Sequence, residues 1–462
     1  MERPSTTRPG EEWTAAMRTT GRRDEVAGGS GPGADGGAQA DVVVVGAGVA
    51  GLACTKDLVA AGLRVRLLES DDTVGGRMRT DHVAGFTTDR GFQVFNTSYP
   101  QVKRRIDLRA LRLRAFTPGL LVHTDGRLRR ITDPTRRPGP SRDMLPGGLF
   151  SARDLAALGL LSARDMFGPA VRPRTRPDTT TRTALAAAGF STRAVETFFR
   201  PFLSGIFLED QLDTSARYFH LIWRSMLRGT LCLPAHGIGA VPEQLASGLP
   251  RGVLSTGSPV TSLTTGGVAL KGAGELTARA VVVATGSAAA ARLLPGLDPD
   301  RSMRTVTTLY HAVERSPLTE PTLVIDARRR FLNTCVLTEL HRGYAADGRS
   351  LVSTSVLGAP GPAEEAAVLA ALGEVYGADT SNWQPVHRVT VRDALPAMLP
   401  SRALSRTTRF APGRYVCGDH RATGSLQGAL ASGTRAAREV LADLRPEEAR
   451  VPGATRAQGP PM

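Results

Sequence analysis

The chain has 462 residues, 41% of them hydrophobic, which is more than one ordinary core holds and points to two domains. Its formal net charge is +15, yet among 58 basic residues only Lys56, Lys103 and Lys271 are lysines. Such lopsided arginine usage, with abundant Ala, Gly and Pro, reads as coding bias, and no zinc-finger, basic-zipper or RNA-binding pattern appears, so no nucleic-acid partner is expected. The four cysteines, Cys54, Cys232, Cys335 and Cys417, form no C-x-x-C pair. That argues against a metal site, a disulfide framework or a redox dithiol, and it fits a reducing cytoplasm. No uncharged apolar run approaches the ~18 residues needed to span a bilayer. Residues 1–40, rich in Gly, Ser, Thr and charge and lacking an apolar signal core, are expected to be a disordered leader.

The most informative stretch is 41–80. Val42 to Val45 are a continuous β-branched run, the pattern of a buried parallel strand. Gly46, Gly48 and Gly51 follow in G-x-G-x-x-G spacing. An apolar-periodic helix over about 49–61 comes next, with Gly62 as its stop, and a second strand over 64–68 ends on Glu69. In such a βαβ unit Gly46 permits the tight turn, Gly48 and its neighbour Ala50 border the pyrophosphate, and Gly51 lets helix and strand pack closely. The helix N-terminus supplies free N–H groups and partial positive charge. Glu69, 23 residues beyond Gly46, can accept both hydroxyls of an adenosine ribose and repels a 2′-phosphate. A dinucleotide without that phosphate is expected.

Gly75-Gly76-Arg77 lies just beyond the acid. With it, the stretch resembles the flavin-containing amine oxidase superfamily, which also holds phytoene desaturases and protoporphyrinogen oxidases. The resemblance implies FAD rather than NAD, with Gly76 and Arg77 continuing the site near the pyrophosphate; a guanidinium fork suits phosphate oxygens. It also implies an α/β (α+β overall) fold. A discontinuous Rossmann-like FAD-binding domain would draw on 41–105, 240–300 and 405–445. A substrate domain of mixed or antiparallel sheet and helices would draw on 106–239 and 301–404, with 446–462 as a flexible tail.

Further along, Gly91, Phe92 and Phe95 are candidates to line a flat apolar pocket beneath the flavin, the alternative being a buried hairpin edge. Residues 104–142 read as arginine-rich surface strands and loops. Residues 145–171 place apolar residues at helical spacing around Arg-Asp pairs. They read as a helix pair packed on its own domain, or as an apolar, arginine-flanked lip for peripheral membrane contact. Helices are expected over 181–199 and 215–227. Phe198, Phe199, Phe202 and Phe207 lie near or between them in a broken cavity wall. A turn at 233–241 precedes a helix near Pro242, with His236 a candidate wall residue. The runs 253–254, 260–263, 268–270 and 276–278 suggest an antiparallel meander, and 280–286 a second buried strand. In relatives this region contacts the adenine near Val260 and closes the FAD domain at Thr285. No second G-x-G-x-x-G occurs, so NAD(P)H is not expected as a second bound cofactor. Strands at 305–313, 321–325 and 351–356 and a helix at 363–376 complete the substrate domain.

The last segment, 414–441, reads as a strand, a Gly418-Asp419 turn and a glycine-punctuated helix. The resemblance assigns Asp419 to the ribityl chain. It aims the helix near Ser425 and Leu426 at the flavin ring, where a helix N-terminus favours the anionic reduced form. Gly428, Ala429 and Gly433 would let the helix pass close. Amine oxidases of the family generally carry a lysine on the first strand after the middle FAD segment, and often an aromatic on the final helix turn. Here 305–313 has no lysine, and Ser425 and Leu426 are not aromatic. Cys417 is not at the family's covalent attachment position, so FAD is expected to be non-covalent. Three readings stand open. The first is an oxidase or desaturase-type enzyme taking hydride from a hydrophobic small molecule to flavin N5, with O2 a candidate acceptor. The second is an amine oxidase without lysine or cage, and the third a non-catalytic flavin-binding protein. His420 and Arg421 are the candidate polar groups near the ring.

Overall fold

The computed structural model describes residues 39–133, 136, 148–168, 177–300 and 302–445. The composition-based leader (but for Gln39 and Ala40) and tail lie outside them. Two large sheets organise the described residues. The first, eight-stranded, is built on the valine run: Ala40–Val45 lies between Val65–Leu68 and Gly274–Val283, parallel to both. Val42, Val43 and Val44 have no exposed surface, and burial of each such side chain contributes roughly 1.5–3 kcal/mol. Leu254–Ser255 extends one edge in parallel, and Arg414–Val416 joins the far side of Gly274–Val283.

Two sequence expectations merge here. The run at 276–278 and the strand at 280–286 are one ten-residue strand, Gly274–Val283. Its first half pairs antiparallel with Gly267–Leu270, and its second half enters the parallel sheet. The 253–254 run is not part of the meander, because its neighbour is Val65–Leu68. Helices Val49–Ala60 and Leu426–Leu444 share one face of this sheet. A Cβ on Gly433 would fall 2.1 Å from the Ala50 carbonyl oxygen, so Gly433 lets helix approach helix, not cofactor.

The second sheet has seven strands in the order Gln384–Pro396, Met303–Val313, Ser350–Leu357, Asn333–Val336, Val324–Asp326, Gly119–Thr124, Arg127–Thr132. All neighbours are antiparallel except Val324–Asp326 with Gly119–Thr124. Strand alternation sends Leu120, Val122 and Ile325 to one face and Leu121 and Val324 to the other. Pro362–Tyr376 covers the second face. The first carries an aromatic helical core of Phe150, Phe190, Phe198, Phe199, Phe207, Phe219 and Trp223. Gly119–Thr124 is therefore sheet interior rather than surface, since its apolar alternation outweighs the surrounding arginines, whereas Arg127–Thr132 is the edge strand of this sheet. Of the helix pair expected over 145–171, the described residues 148–168 hold one helix, Ala152–Phe167, started by a Ser151–Asp154 capping box, and 145–147 and 169–171 lie outside the described residues. The wall expected to be broken is helical throughout from Thr192 to Phe207, with Pro201 inside it. The wider π turn Val195–Phe199, closed by the Arg200 N–H on the Val195 carbonyl, comes just before the proline.

Candidate cofactor and substrate cavity

A single continuous cavity of about 900 Å³ runs from the glycine-rich turn to the helices over the second sheet. Gly46, Gly48, Ala50, Glu69, Gly76, Arg77, Val260, Thr285, Gly418, Asp419 and Leu426 all line it, although they come from three distant parts of the chain. Gly51 does not. A Cβ there would lie 2.0 Å from the Gly46 carbonyl oxygen, so its role is close packing beneath the turn.

Each glycine of the turn has its own reason. Gly46 takes φ +103°, and a side chain there would press on the Ala284 carbonyl at 3.1 Å. Gly48 caps the Val49–Ala60 helix without a side-chain hydrogen bond, and a Cβ on it meets nothing within 4 Å. No side chain caps or acidifies that first turn, so its N–H groups face the cavity as an anion site. The Gly75-Gly76 turn docks against it, with the Gly75 N–H donating to the Ala47 carbonyl at 2.9 Å. Glu69 is nearly buried; its carboxylate accepts from the Ala47 N–H at 2.6 Å and the Asp71 N–H at 3.0 Å, which fixes it at the sheet edge.

Arg77 meets the last segment of the chain. It donates to Asp419 at 2.7 Å and to the carbonyls of Ala394 at 2.8 Å and Asp393 at 3.1 Å. Burial alone would raise the Asp419 carboxyl, but the Arg77 guanidinium outweighs it and holds the group below the usual carboxylate range. Gly418 precedes it at φ +148°, and its N–H donates to Ser432 Oγ at 2.6 Å, tying the turn to the final helix. Ser425 caps that helix by accepting from the Gly428 N–H.

His420 and Arg421 do not line the cavity. Successive residues of the 3₁₀ turn Asp419–Arg421 point about 120° apart, so an inward Asp419 sends both neighbours elsewhere. The His420 ring folds back over Gly418, and burial pushes its pKa down to about 4. Arg421 donates to the Thr407 carbonyl at 2.6 Å. His236 is exposed, outside the wall.

Phe92, Phe95 and Gln93 line the middle of the cavity. Beyond them the wall is Phe202, Ile206, Leu208, Ile222, Met226, Leu323, Ile325 and Leu332, with Asn333 and Ser225 as sparse polar groups. Of these aromatic candidates Phe198, Phe199 and Phe207 are core, while Phe202 reaches the cavity. None of the three lysines and none of the four cysteines lines it. The strand Gln384–Pro396, which the sequence reading missed, contributes Val391, Asp393, Ala394 and Leu395; the Val389-Thr390-Val391 cluster was its one available signal.

FAD fits these residues: an uncapped helix N-terminus and Arg77 for phosphates, Glu69 for a ribose, Asp419 and the Ser425 helix start at the other end. Comparisons agree. A family model for flavin containing amine oxidoreductase matches residues 49–441. Coproporphyrinogen III oxidase of Propionibacterium freudenreichii subsp. freudenreichii is 35% identical over 102 residues, 22% of this chain and 19% of that protein. Putrescine oxidase of Kocuria rosea is 43% identical over 67 residues, 14% of each chain. The chain thus aligns with less than a fifth of the length of these curated relatives. The solved structure of cyclohexylamine oxidase from Brevibacterium oxydans IH-35A superimposes with a TM-score of 0.66 at 19% identity, covering 88% of this chain and 99% of that one, which is a likeness of fold. On the family match and the cavity together, the chain belongs to the flavin-containing amine oxidoreductase family, and its cofactor is FAD.

Proposed function

We propose that the chain is an oxidoreductase that takes a hydride from a hydrophobic small molecule, in the manner of a desaturase or oxidase. The observation that carries this reading is the apolar far half of the cavity. Its carboxylates, Glu69, Asp393 and Asp419, all belong to the cofactor half or to the Arg77 cluster, and no lysine reaches it. An ammonium substrate there would be a buried charge without a partner, which costs several kcal/mol. An uncharged apolar substrate has no such cost and gains from every wall residue.

Bound FAD supplies the hydride acceptor. The chain's residues do the rest. Phe202, Ile206, Ile222 and Met226 exclude water. Phe92 sits where the two halves meet, its backbone N–H anchored on Thr308 Oγ1 at 3.2 Å and its ring edge-on to Phe116. The Asn333 side chain makes no hydrogen bond among the described residues, so its amide is free to orient a polar atom of the substrate. Anaerobic mixing of the FAD-loaded protein with panels of polyenes, porphyrinogens and amines tests the reading by flavin bleaching. Bleaching by polyenes or porphyrinogens supports it. Bleaching by amines alone, or by none of the three panels, contradicts it.

A further inference from the structure

Helix Ala152–Phe167 has two faces of opposite character. Its two acids point inward: Asp154 accepts from the Ser191 N–H at 2.7 Å, and Asp165 pairs with His220 at 2.8 Å. Both are buried. The carbonyls at its C-terminal end are covered by Arg224, which bonds Asp165, and by Arg228, which bonds Met166. What faces outward is therefore apolar and cationic only. Leu160 is 71% exposed and Phe167 85% exposed, and they are two of the three large apolar side chains that the described residues leave exposed. Seven residues apart, they share one helix face with exposed Arg153 and Arg164.

We propose that this face docks the protein on an anionic lipid bilayer. Two side chains offer far less than the ~800 Å² per partner that a stable protein interface requires. They do suit shallow insertion at a headgroup boundary, with arginines held at the phosphate level. The helix packs on Ala216–Arg228, through Trp223 Nε1 to Ser162 and Arg224 to Asp165. Ile222, Ser225 and Met226 of that second helix line the cavity. Docking thus sets the bilayer one helix away from the apolar half of the site. The docking itself does not depend on which substrate the site accepts.

Because the whole chain is strongly basic, charge alone would draw it to acidic vesicles, so the deciding variant leaves charge unchanged. The FAD-loaded full chain is floated with vesicles of phosphatidylcholine containing about a third phosphatidylglycerol, and with pure phosphatidylcholine. The wild type should partition onto the anionic vesicles. Leu160→Ser with Phe167→Ser should lower that partition at least about tenfold, with flavin absorbance and melting temperature unchanged. Arg153→Gln with Arg164→Gln should flatten the salt dependence. Partition unaffected by the Leu160/Phe167 pair would overturn the proposal, as would no partition by the wild type. So would a vesicle-free dimer that the same pair abolishes, since a second copy would then cover the face.

Discussion

Arg77 and Asp419 lie 342 residues apart in the chain and 2.7 Å apart in the fold. The pair ties the first FAD segment to the last, and the Ala394 carbonyl on the same guanidinium brings in the second sheet. A charge-assisted bond of this kind in a half-shielded position should couple by about 1–2 kcal/mol in a double-mutant cycle of Arg77→Gln and Asp419→Asn, read by denaturant unfolding. The sign with pH follows. Asp419 is held below its ordinary range, so its stabilisation is fully present above about pH 4, the unfolded value, and is lost as pH falls through the folded value. Asp419→Asn should remove that acid-side dependence, and an unchanged profile would refute it.

Asp89 behaves in the opposite sense. It is buried beneath the Gly237–Gly239 turn, accepting from Thr80 Oγ1 at 2.6 Å and the Ile238 N–H at 2.9 Å. Burial raises its pKa from 3.8 to about 6 despite those bonds. The folded chain then binds a proton that the unfolded chain has lost between about pH 4 and 6, so stability falls as pH rises through that window. Asp89→Asn retains an acceptor without the charge. It should stabilise the fold at pH 8 by up to about 3 kcal/mol and by nearly nothing at pH 4, measured as melting temperature at the two values.

The glycines separate fold from cofactor. Gly51→Ala and Gly433→Ala each drive a methyl into backbone at about 2 Å and should cost roughly 1–3 kcal/mol of stability. Gly48→Ala meets only the open cavity, so melting should scarcely change for the FAD-free protein while FAD affinity falls. Equal stability losses at all three positions would show that Gly48 is structural too.

Glu69→Gln keeps an oxygen that can accept from the Ala47 N–H and removes the negative charge that would strengthen a bond to a ribose hydroxyl. FAD should bind about tenfold more weakly by fluorescence titration of the FAD-free chain. Unchanged affinity would place the ribose elsewhere.

What the sequence made legible was local. Gly46, Gly48, Gly51 and Glu69 form one unit whose spacing encodes its own geometry, and the Gly418-Asp419 turn announces itself by a glycine at a strand end. The far half of the cavity was obscure because its wall is assembled from four separate elements, the helix of Phe202, the helix of Ile222 and Met226, and the strands of Ile325 and Asn333. Gln384–Pro396 escaped notice as an edge strand with little buried alternation. His420 misled because adjacency to Asp419 in sequence is not adjacency in a 3₁₀ turn. Gly433 was read as clearance for a cofactor when it is clearance for the Val49–Ala60 helix.

That three remote segments close one FAD cavity is most directly tested by the flavin content of the purified chain. One FAD per chain, released free into solution on denaturation, is the predicted result, since Cys417 is buried, its thiol pushed up to about 12, and outside the cavity. A colourless protein that cannot be reconstituted with FAD, or flavin that stays attached to the denatured chain, would contradict it.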